Sequence, residues 1–137
     1  MSTMTMAEQN RLSARRAAEL IRRELVRSDE DFALRYVNQA ISDMRKAGDD
    51  LDDFLVQPDS VGDRGWDALL ATAVRWECER QGRIPPDWTD APALDRDWFV
   101  WPGGEPSPEW AARIRSRTPQ TFAAKRIFIT ERDFETA

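Results

Sequence analysis

Apolar positions along this chain recur mostly at helical spacing, but the arcs they form differ in width from one segment to the next. Over residues 7–27, Ala14, Ala17, Ala18, Ile21 and Leu25 share one narrow face, while Arg11, Arg15, Arg16, Arg22, Arg23 and Arg27 fill much of the rest. A stripe so thin and so rich in Ala predicts a helix that docks weakly, or an arm that orders on a partner. Ser28, with Asp31 three residues on, reads as the cap of a second helix over about 29–47. That helix carries a wide, core-like arc of Phe32, Ala33, Tyr36, Val37, Ala40, Ile41 and Met44, with Gly48 placed to end it.

Asp49 and Asp50 open a short third helix through Leu51, Phe54 and Leu55, stopped by Pro58. The stretch from Gln57 to Gly65 holds Pro58, Gly62 and Gly65, and reads as a loop and as the hinge between two halves. A fourth helix is expected over 64–81, capped by Asp63, ended by Gly82 and striped with Trp66, Leu69, Leu70, Ala73, Val74 and Trp76. Short turns with interspersed aromatics fill 83–106. Ser107-Pro108 and Thr118-Pro119 each start a helix, and Ile127-Phe128-Ile129 is the one strand-like run. The pattern predicts an all-α fold: a small helical domain with irregular Trp-rich connections and at most one short strand near 126–129. Residues 1–58 form a helical N-terminal region and 59–137 a compact Trp-rich module, with the first helix peripheral.

Composition narrows the chemistry. The 137 residues include one cysteine, Cys78, so no internal disulfide forms, and that fits a reducing cytoplasm. No apolar run reaches membrane-spanning length. There is no His, which removes the commonest general base and metal ligand. The net charge of −5 hides a segregation: residues 48–109 carry fifteen acidic and five basic groups, a net −10, while both ends are positive. An acidic middle repels phosphates and attracts basic partners.

The dense carboxylate cluster is Asp49, Asp50, Asp52 and Asp53. Its spacing matches no calcium-loop or two-metal pattern, and acids in a helix's first turn are favoured by its dipole. Glu77 falls within the apolar stripe of the fourth helix, either paired with Arg80 or reaching solvent at the helix end, and the second reading is preferred. Cys78 reads as a small buried residue without an activating neighbour. Trp98-Phe99-Val100-Trp101 reads chiefly as core, with one or two aromatics left to face a partner. No catalytic, cofactor-binding or metal-ligating set emerges.

Several blocks occur in a telling order: Gly65-Trp66-Asp67-Ala68-Leu69-Leu70-Ala71, Pro85-Pro86-Asp87-Trp88, Asp95-Arg96-Asp97-Trp98-Phe99, and Thr118-Pro119-Gln120-Thr121-Phe122-Ala123-Ala124-Lys125-Arg126-Ile127-Phe128-Ile129. Over about 63–134 the chain resembles a family of small actinobacterial proteins often encoded beside nucleotidyltransferase-like toxins, where they are regarded as the antitoxin. It departs from that pattern at Arg75-Trp76, where the family often has an acidic residue and His, and at Glu77, where it prefers an apolar one. The resemblance implies a cytoplasmic, non-enzymatic partner of a toxin that occludes a basic cleft, with no cofactor and no small-molecule substrate. The expected contact residues are Asp49, Asp50, Asp52, Asp53, Trp98 and Trp101, with Arg22 and Arg23 on the first helix. The alternatives are a regulator that binds operator DNA through the Arg-rich helix, an adaptor for another protein, and an enzyme with carboxylate-only chemistry.

Overall fold

The computed structural model describes residues 11–100 and 105–134. Among the described residues six α-helices dominate: α1 (Ala14–Val26), α2 (Glu30–Lys46), α3 (Leu51–Phe54), α4 (Arg64–Arg80), α5 (Pro108–Arg117) and α6 (Gln120–Ala123). Single turns of 3-10 helix lie at Gly48–Asp50, Asp87–Thr89 and Glu131–Phe134. The all-α expectation holds, with one addition. The strand near 127 has a partner, so two strands of two residues, β1 (Trp98–Phe99) and β2 (Ile127–Phe128), pair in parallel with Trp98 opposite Ile127. Two residues are too few to show an alternating pattern, so β1 was hidden among turn residues.

α1 is a core element, contrary to the expected weakly docked arm. Ala14, Ala17 and Ile21 have no exposed surface, and α1 lies along α2, whose Ala33, Val37, Ala40 and Ile41 are equally closed off. The physical reason is in the Ala stripe itself: small side chains let two helix backbones approach closely, so a narrow face still buries well. Ser13 caps α1 by accepting from the Arg16 amide at 3.1 Å. Just ahead of it, the Leu12 amide donates to Asp43 Oδ2 at 2.7 Å, tying the start of α1 to the last turn of α2.

The α1–α2 turn also differs from expectation. Asp29, not Ser28, caps α2, accepting from the Phe32 amide at 3.1 Å. Ser28 has φ +59° and closes α1, with its amide donating to Leu25 O at 3.0 Å and the Asp29 amide donating to Glu24 O at 2.8 Å. The left-handed residue after a helix is usually glycine, which made Ser28 easy to misread as a cap.

α4 runs through the middle of the molecule and is buried on nearly every side, including Ala68, Thr72 and Cys78 beyond its expected stripe. Burial also pushes the Cys78 thiol pKa up, as befits an unreactive core residue. Around Trp76, Phe122 lies at 5.7 Å and Phe134 at 5.1 Å, and the two phenylalanines stack at 5.5 Å. This aromatic group fastens α6 and the final 3-10 turn onto α4. A single cluster of buried side chains runs from Ala14 to Phe134.

Candidate partner-binding surface

The 57–63 loop, expected as a hinge, is fastened from both sides. From α1, Arg15 Nε donates to Gln57 O at 3.0 Å and Arg22 Nη1 to Ser60 O at 3.4 Å. From α4, the Asp67 carboxylate accepts from Ser60 Oγ at 2.6 Å and the Val61 amide at 2.7 Å, and the Val61 side chain is buried. Asp63 caps α4 through the Trp66 amide at 3.0 Å. Trp88 joins the assembly by donating Nε1–H to Leu55 O at 2.8 Å. Between this loop, the first half of α4 and residues 87–92 lies an open cleft of about 680 Å³. Asp59, Asp63, Asp67, Asp87 and Asp90 line it, with Arg64 as the one cation.

The four aspartates of the sequence cluster lie together and point outward. Asp49 and Asp50 sit in the 3-10 turn and Asp52 and Asp53 in the first turn of α3, all exposed, while Leu51 and Phe54 turn inward. Asp52 lies 3.5 Å from Arg83. Among the described residues, no group of three or more His, Cys, Asp or Glu is placed to hold a metal ion.

The other expected contact residues lie elsewhere. Trp98 is half-buried, with its ring edge-on to Trp66 at 5.4 Å and close enough to Gly65 that an added Cβ there would meet it at 3.5 Å. Trp101 lies outside the described residues. Arg22 reaches the loop, and Arg23 reaches Glu24 at 3.3 Å and the Tyr36 hydroxyl at 3.2 Å. These arginines are therefore engaged with the protein's own oxygens. The structure does not bring Trp98 into the acidic cluster.

Two constellations escaped the sequence. Glu77 is buried, not reaching solvent as preferred from its position. Its Oε1 accepts from Arg45 Nε at 2.8 Å with Arg80 at 3.7 Å, and Oε2 accepts from Gln81 at 3.0 Å. Arg45 also donates to Phe134 O at 3.2 Å, so this pair closes the C-terminal turn. Arg45 is 32 residues away in sequence, beyond the reach of helical spacing. Only Arg80, at i+3, was visible that way.

The second constellation surrounds the paired strands. Phe99 and Phe128 stack at 5.1 Å, with the Arg115 guanidinium over both rings at 5.1 and 5.4 Å. Asp97 accepts from Arg126 Nε at 2.8 Å and Arg115 Nη2 at 3.0 Å. The Arg126 hydrogen bond, more than the nearby charges, holds the Asp97 carboxyl below its ordinary 3.8. A depressed pKa contributes stability above the unfolded value that is lost as pH falls through the folded one. Asp97→Asn should therefore lose stability at pH 7 and show a shallower decline below about pH 4, read from urea midpoints at several pH values. A parallel decline in wild type and variant would contradict the assignment.

Comparison with known protein families, with characterised proteins and with solved structures finds no match.

Proposed function

We propose that this chain is an antitoxin that works by binding a toxin whose active-site cleft is basic, of the nucleotidyltransferase-like kind. The observation that carries the reading is the concentration of outward carboxylates on the middle of the chain. Asp49, Asp50, Asp52 and Asp53 are exposed on one short turn, and further aspartates line the cleft beside α4. Such a surface complements a cleft lined to hold nucleotide triphosphates and RNA. The resemblance over 63–134 supports the same reading. The arginines of α1 give less support to DNA binding, since Arg15, Arg22 and Arg23 are spent on Gln57, Ser60, Glu24 and Tyr36. Action through binding, without turnover, in the cytoplasm, completes the proposal. Among the described residues no helix is long and apolar enough to cross a membrane.

Co-expression with the protein encoded by the adjacent gene tests it. The expected outcome is growth arrest by that protein alone, rescue by this chain, and co-elution of the two. Unrelieved arrest, or a salt-sensitive shift of the chain's own promoter DNA with no protein complex, would overturn it.

A further inference from the structure

We infer, building on the antitoxin reading, that the cleft between the 57–63 loop, α4 and residues 87–92 seats an arginine-bearing segment of the partner protein. At about 680 Å³ the cleft has the size of a side-chain or peptide pocket. Its lining includes the apolar residues Ala68, Leu70, Ala71, Trp88 and Ala91. Carboxylates share that lining. Those of Asp59 and Asp87 make no hydrogen bond or ion pair among the described residues. Asp63 and Asp90 each have one oxygen engaged, with the Trp66 amide and Lys125 Nζ respectively. Arg64, the one cation of the lining, is drawn to Asp95 at 3.4 Å. The lining thus combines net negative charge with apolar surface, which excludes phosphates and selects a cation with an apolar stem.

Two features favour arginine over lysine. Trp88 lines the cleft and is fixed by its indole hydrogen bond to Leu55 O, so an aromatic partner for a planar guanidinium is held in place beside the carboxylates. A guanidinium also forks between two carboxylates and is less strongly hydrated than an ammonium. The same features favour a protein segment over a polyamine, which has charge but no plane to stack. The cleft walls are already pinned by Arg15, Arg22 and Asp67, so little ordering is required on binding.

The test is an amide NMR titration of the full ¹⁵N-labelled chain with an acetylated, amidated Gly-Arg-Gly-Arg-Gly peptide, its lysine counterpart, and spermidine. The expected shifts centre on 57–71 and 87–92 and include the Trp88 indole N–H. The lysine peptide should bind about threefold more weakly or worse. Asp59→Asn with Asp87→Asn should weaken the arginine peptide by about fivefold or more, leaving the remaining spectrum in place. Shifts centred on Asp49–Asp53, equal binding by spermidine, or none at about 1 mM peptide would overturn the assignment. Peptide binding in the cleft with no toxin rescued keeps the seat and removes the antitoxin reading. Rescue unaffected by the double substitution does the reverse.

Discussion

Removing residues 1–27 is expected to abolish cooperative unfolding and leave a collapsed species that binds ANS. The truncation strips α1 from α2 and uncovers Val37, Ala40 and Ile41, which are fully closed off in the intact chain. Burying Leu20 and Ile21 alone contributes about 1.5–3 kcal/mol each, before the alanines are counted. Asp43 loses the Leu12 amide, and the 57–63 loop loses both Arg15 and Arg22. Domains of this size are stable by only about 5–15 kcal/mol, so the combined loss consumes most of the margin. Urea unfolding followed by circular dichroism, with ANS fluorescence alongside, reads the result. A sharp transition at an unchanged midpoint would show that α1 is peripheral after all.

Phe122→Ala should be the most damaging single substitution of a core residue in the C-terminal half, at about 4 kcal/mol. Phe122 has no exposed surface and lies 5.7 Å from Trp76 and 5.5 Å from Phe134. Truncation leaves a cavity against two rings and removes both aromatic pairings, each worth about 0.5–1.5 kcal/mol beyond area. It also loosens the final turn, leaving it held by the Trp76–Phe134 ring contact, the Arg45 hydrogen bond to Phe134 O and the Arg80–Glu131 pair. Ile84→Ala is the control, because Ile84 is 93% exposed and its loss should cost within about 0.5 kcal/mol. A Phe122→Ala cost near that of the control, from chemical denaturation, would mean that the aromatic group does not fasten α6.

The long helices were legible because their apolar residues repeat at helical spacing with capping signals. Asp63, Gly48 and Gly82 stand where the helix ends fall, with φ of +57° at Gly48 and +70° at Gly82. What periodicity could not convey was packing distance. Ala14, Ala17 and Ala18 gave a weak hydrophobic signal, yet their smallness is what lets α1 join the core. Contacts between residues remote in sequence were equally hidden. Nothing local pairs Glu77 with Arg45, aims Arg22 at Ser60 O, or sets Asp67 beneath the loop. The acidic turn at Asp49–Asp53 was plain, because consecutive carboxylates beside Leu51 and Phe54 have one amphipathic solution. The cleft was not, since its aspartates come from two stretches, 59–67 and 87–90, about twenty residues apart in sequence.

The proposal that the acidic middle of the chain carries the interaction with a toxin is tested most directly by association kinetics with the protein encoded by the adjacent gene at several salt concentrations. Asp52→Lys with Asp53→Lys should slow association by about tenfold at low salt and flatten its salt dependence, because rim charges act mainly on the on-rate. Arg22→Glu with Arg23→Glu should have the smaller effect on that rate. The opposite ranking, with the α1 reversal slowing association more, would place the contact on the Arg-rich helix and contradict the account.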